Sequence, residues 1–452
     1  MIRGIYKNRY ILCALILAAA AAILAAQTVI PRRPPDHPPQ NPAALQETAP
    51  IYVEPGYFVK ETGDDSDNGR TEATAFRTLS RAINAAAANK IRIITLVGVL
   101  HESTEITNSG AEEIIITGKP DSPAVIFFDG TKRTISARGN THLRLMYIEL
   151  TGNRSSGALE VLGGARVTLG YGAQINGNNG ETGGAVSVVG STLAVTENTV
   201  ISGNQADRGA GIYGYNATIY LTAGAQIRNN QAKGGGGIYA NQRSVVRMNG
   251  QAQISGNSAI GGGGVFLFDG STLLMEGDAI IRGNQAETGG GVSLTKGTLD
   301  IRYRASVTEN HADVSGGGIY CGESNVYLQD QGALTKNTAD AGGGAYIAGH
   351  GLFTAGDKTQ IIANSAERAG GGIFVYFGKV NFTGQIFVSA NWSAEGGAVF
   401  LDANSIFTFV GGQITNNSAD SGGGVYVRNS DFNHSGGYVW GNRARAGDDI
   451  FP

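Results

Sequence analysis

An asparagine followed closely by glycines returns eleven times in this chain, at Asn178, Asn204, Asn230, Asn257, Asn284, Asn310, Asn337, Asn364, Asn391, Asn417 and Asn442. Successive spacings are 26 or 27 residues, with a final 25. A unit this short cannot bury an apolar face of its own, so copies have to stack on one another. A chain of 452 residues would otherwise suggest two or three globular domains. The repeat replaces that expectation with a solenoid.

Within each unit the apolar residues keep register. Three places before the asparagine stands Ile201, Ile227, Ile254, Ile281, Val307, Leu334, Ile361, Val388 or Ile414. Alternating runs follow the glycines, as in Val265 to Leu267 and Ile373 to Val375, and a further alternating pair such as Leu273 with Met275 precedes the next asparagine. Three short period-two runs bounded by turn residues are a strand signature, and no part of the unit has helical spacing. Leucine-rich repeats share the period, but small residues such as Ala225, Ala252 and Ala279 occupy a position where their consensus needs leucine. The expected fold is therefore all-β: a right-handed parallel β-helix with three short strands per coil. Coils would lie about 4.8 Å apart, stacking the asparagines into an interior ladder whose amides bond from coil to coil. Glycine would allow the tight corner.

Outside the repeats the chain divides into expected parts. Arg3, Lys7 and Arg9 precede an apolar run from Ile11 to Ala26, so residues 1–30 read either as a signal peptide or as a retained membrane anchor. Residues 31–56 form a proline-rich linker. Residues 57–90 form an N-terminal cap in which Leu79, Ala82, Ile83 and Ala86 fall on one face of a short capping helix. Residues 91–452 form the β-helix, beginning with less regular runs such as IRIITLVGVL and LRLMYIEL. This order implies export to the cell envelope, the cell surface or the extracellular space.

The blocks ISGNSAIGGGGVF, IRGNQAETGGGVS and ITNNSADSGGGVY resemble the repeats of chlamydial-type polymorphic outer membrane proteins, which pair Phe-x-x-Asn with Gly-Gly-Ala-Ile. The resemblance covers Gln174 to Pro452, with Ile, Val or Leu in place of the phenylalanine, and the expectation is of such repeats without the translocator barrel. It implies a bacterial β-helix with an adhesin-like role. The opening YFVKETGDDSDNGRTEATAFRTLSRAI also resembles the cap of many secreted β-helix proteins, polysaccharide lyases among them.

Chemistry is sparse along the repeats. Net charge is −3 and charged residues are 16% of the chain, which excludes the basic field of a nucleic-acid binder. The six histidines have no ligand spacing, and the two cysteines, Cys13 and Cys321, form no framework. Asp64, Asp65 and Asp67 with Asn68 and Gly69 read as a turn, because the calcium-loop spacing is broken.

Two columns stand out. Acidic residues follow the ladder three places on, and Glu287, Asp313, Asp340 and Glu367 come in consecutive coils. They are read as solvated loop residues, with a bound Ca2+ as the sharper alternative. An outward stripe after the glycines comprises Tyr213, Tyr239, Phe266, Tyr320, Tyr346, Phe374, Phe400 and Tyr426, interrupted by Ser293. It reads either as rings stacked from coil to coil or as a docking surface for a glycan or a partner protein. The expected function is a non-enzymatic envelope or surface protein, used for adhesion or as a scaffold. The alternative is a β-helix polysaccharide lyase or glycoside hydrolase. No catalytic residue is assigned.

Overall fold

The computed structural model describes residues 56–107 and 113–452. The 1–30 segment and all but the last residue of the 31–56 linker lie outside the described residues. The chain winds into a parallel β-helix whose three main sheets hold 15, 14 and 14 strands. Every strand pair in them is parallel, and each strand joins its counterpart one coil away, as in Ile281↔Val307 and Val307↔Leu334.

The coil from Asn284 to Asn310 shows how the sequence makes one turn. Val292–Thr295 belongs to the post-glycine sheet, Thr298–Ile301 to the middle sheet, and Ser306–Thr308 to the pre-asparagine sheet. Val292, Leu294, Leu299, Ile301 and Val307 point inward and are wholly buried, each worth roughly 1.5–3 kcal/mol of transfer free energy. Stacked on their copies, such residues form one continuous core.

A fourth strand was hidden in the asparagine-to-glycine segment. Gln285–Thr288 and its neighbours pair as a six-stranded sheet, and an earlier three-stranded sheet begins at Asn179–Thr182. Its sequence, as in QAET, lacks an apolar alternation because both faces are short and one meets water, so periodicity could not announce it. Glycine is required where this corner strand turns back. Gly289 has φ +65, and a Cβ on Gly290 would lie 2.2 Å from the His311 carbonyl oxygen of the next coil.

The asparagines form a buried ladder. The Asn284 main-chain N–H and its Nδ2 both donate to Asn310 Oδ1, at 3.0 and 2.9 Å, while Nδ2 also donates to the Ile254 carbonyl at 3.1 Å. Donor and acceptor groups of each amide are thereby satisfied away from water. The ladder runs one rung further than the repeat alone shows: Asn153 N–H donates to Asn178 Oδ1 at 3.1 Å. It ends on a carboxylate, since Asn442 N–H and Nδ2 donate to Asp449 Oδ1 at 3.0 and 2.9 Å.

At the first end, Tyr57–Val59 opens the middle sheet by pairing with Ile94 to Leu96. The helix Leu79–Asn89 then lays Leu79, Ala82, Ile83 and Ala86 on the core. Thr78 Oγ1 accepts from Arg81 N–H at 3.2 Å, and Glu102 Oε1 accepts from Leu79 N–H at 2.9 Å, so the helix N-terminus is capped twice. The acidic turn before it is also used internally. Asp65 accepts from the Arg77 and Thr78 amides at 2.9 and 3.0 Å, and Asp64 from Ser66 N–H at 2.8 Å.

Candidate functional site

The aromatic stripe lies on the outer face of the post-glycine sheet, in register from coil to coil. Its rings stack. Tyr239 and Phe266 are 5.2 Å apart at 1°, Tyr346 and Phe374 are 4.8 Å apart at 5°, and Phe374 and Phe400 are 4.9 Å apart at 19°. Near-parallel rings in an axial column cover one another's faces and turn only edges outward, whereas a sugar stacks on a face. The corner strands lean over the same column: Ala341 and Ala369 pack with Phe374 and Phe400, which are 4% and 0% exposed. Tyr213, Tyr239, Phe266, Tyr320, Tyr346 and Tyr426 are half-buried. Burial raises the phenols of Tyr213, Tyr239 and Tyr320, and pushes that of Tyr346 up to about 12. The stripe is a second, thinner core between the sheet and its overhanging corner.

The acidic column points from the corner strands into solvent, with bases interleaved. Lys233 reaches Asp207 at 2.8 Å, His311 reaches Asp313 at 3.1 Å, Arg368 reaches Asp340 at 3.1 Å and Arg445 reaches Asp420 at 3.5 Å. Exposed pairs of this kind each contribute about 0–1 kcal/mol. Glu287, Asp313, Asp340 and Glu367 do not converge, and among the described residues no three acidic, histidine or cysteine side chains gather as a metal cluster.

A different place collects polar chemistry. The outward column that carries the rings continues towards the N-terminus as Ser187, Glu160, Ser136 and Glu105. These early coils have no corner strand above them, because the chain passes from Asn153 directly through Ser155 and Ser156 to Leu159. The result is a cleft of about 660 Å³, within the usual size of a small-ligand site. Arg138 stands in it between two carboxylates, 3.3 Å from Glu105 and 3.2 Å from Glu160. Ser136 Oγ lies 3.4 Å from the same Glu160 oxygen. The far wall is the first corner strand, with Glu181 and Thr182.

Arg133 ties that wall to the cleft. Its guanidinium donates to the carbonyls of Thr182 and Gly183, each at 2.6 Å, taking the place of the donors that a preceding corner strand would supply. Burial lowers its pKa to about 10, against the pull of the Glu160 carboxylate. Glu105, Arg138 and Glu160 were legible as outward residues of TEIT, ISAR and LEVL on three successive strands. Their strands lack the glycine run that marks the later coils.

No protein family matches the chain, and no curated protein matches it. Among the described residues no helix is long and apolar enough to cross a membrane. The fold and the cleft are therefore what defines this protein: a parallel β-solenoid with a polar site near its first end.

Proposed function

We propose that the chain is a non-enzymatic β-solenoid of the cell envelope or surface, acting in adhesion or as a scaffold, which holds a glycan in the cleft around Arg138. The observation that carries this reading is the Glu105–Arg138–Glu160 arrangement, floored by Ser136 and open to solvent. Carboxylates and guanidinium groups side by side match the donors and acceptors of sugar hydroxyls. The charge-then-apolar start of the chain and the resemblance of its repeats to adhesin repeats support export and surface display. Fold alone does not assign activity.

Screening the full chain against neutral and acidic polysaccharides tests the proposal, with binding and new reducing ends read together. Binding without new ends is expected. No retention on any glycan would remove the reading, and release of reducing ends would instead favour a hydrolase or lyase, with Glu105 and Glu160 as the carboxylate pair.

A further inference from the structure

The charges of the cleft and the way it is closed restrict what it can hold. Arg138 is engaged on both sides by Glu105 and Glu160, and Arg133 by two main-chain carbonyls. Lys132 is the remaining base, on the exposed rim. A ligand carboxylate or sulfate would meet Glu105, Glu160 and Glu181 without an uncommitted guanidinium, and would have to break an existing pair to gain one. A hydroxyl meets no such conflict, because it can donate to a carboxylate oxygen while accepting from the guanidinium beside it.

Length is limited as well. The floor spans the strands Thr104–Thr107, Ile135–Arg138 and Leu159–Leu162. On the next strand Ser187 is only 4% exposed, and beyond it the rings begin at Tyr213. The first corner strand, Asn179–Thr182, rises at the same level. A chain bound along the floor is therefore stopped on the C-terminal side.

Resting on the glycan reading above, we infer that the cleft is selective for a short neutral glycan segment, with room for about two or three pyranose rings at one per strand spacing. Calorimetric titration of the full chain with neutral gluco-, manno- and galacto-oligosaccharides of graded length, beside uronic acid oligomers of the same lengths, tests this. For the binding series, affinity should rise up to about three units and then level off, with the uronic acid oligomers about tenfold weaker or worse. Glu105→Gln, on a half-exposed side chain, should weaken binding about tenfold through loss of a charged hydrogen-bond partner while leaving the melting temperature unchanged. Asp340→Asn, far along the rod, should leave affinity as it is. Affinity that keeps climbing with every added unit, a preference for uronic acids, or full affinity in Glu105→Gln would overturn the inference while leaving glycan binding standing. Absence of binding to every oligosaccharide would overturn both.

Discussion

The coils before Asn178 and the coils after it are wound on the same three sheets, yet they use their outer surface in opposite ways. From Asn178 onward each coil repeats an amide rung, a glycine corner and, in most coils, an aromatic ring, and all three are consumed by contacts with the coils above and below. Among the described residues before Asn178 there is no corner strand and no ring stack, and the same outward column carries Glu105, Ser136 and Glu160. A ring or an amide already engaged with the next coil is less available to a ligand. The interruption of the repeat is what opens the cleft.

The sharpest way to break the contrast is to cut the ladder. Asn310→Ala removes the acceptor of the Asn284 amide groups and the donor to the Ile281 carbonyl, leaving buried polar groups that each cost about 1–3 kcal/mol. Denaturant unfolding should show a loss of roughly 3 kcal/mol or more. Asn153→Ala should lose less stability and more ligand affinity. Its Oδ1 accepts from the amides of Ser155 and Ser156 at the half-exposed cleft edge, so water can replace part of the loss.

Phe400→Ala attacks the stripe at its most buried ring and should cost about 3 kcal/mol by the same measurement, without altering glycan affinity. A pH titration asks the same question of the phenols. The folded pKa of Tyr346, about 12, lies above the ordinary phenol value of about 10, so its contribution to stability is complete below pH 10 and is lost as pH rises towards 12. Absorbance of tyrosinate should lag behind that of the unfolded chain over this range, and equal curves would contradict the buried stripe.

A gain is expected at the residue before the ladder asparagine, which takes positive φ in the regular coils whether or not it is glycine. Ala390, with φ 56 and an exposed side chain, should become glycine with a stabilisation of roughly 0.5–1 kcal/mol, since left-handed backbone costs an L-residue about 1–2 kcal/mol. The smallest effect belongs to the acidic column. Asp340→Asn should change stability by less than about 0.5 kcal/mol, and a chelator should leave the melting temperature unchanged.

What the sequence disclosed follows the same divide. Stacked coils, the inward column from Ile201 to Ile414 and the capping face of Leu79, Ala82, Ile83 and Ala86 were legible because each is a strict spacing of apolar residues. Asn153 was missed as a rung because Arg154, Ser155 and Ser156 follow it, without the alanine two places on and the glycine run of the later coils. The corner strands were missed because their pairing is carried by main chain, with register shifts such as that between Ala286 and Thr288, and backbone pairing leaves little mark on side-chain pattern. The outward direction of the aromatic stripe was readable from alternation. Its cover was not, since that depends on the corner strand above it. The cleft residues fall one or two to a strand on ordinary strands, and only the coil-to-coil register sets Glu105, Ser136 and Glu160 in one line.

The glycine corner has a directional consequence. Gly289, Gly290, Gly291 and Val292 send four successive N–H groups to the carbonyls of Ser315, Gly316, Gly317 and Gly318, all towards the later coil. Ordinary sheets alternate these directions and cancel. Here they add, as peptide dipoles do along a helix. The two ends carry matching charges: the Arg133 cation on the first exposed carbonyls, and the carboxylates of Asp448 and Asp449 on the last amides of Ala444 and Asn442. The glycine corner is thus a line of aligned dipoles along the solenoid axis, opposed elsewhere in the coil by N–H groups such as those of Thr298, Arg302 and Ser306, which donate to the earlier coil.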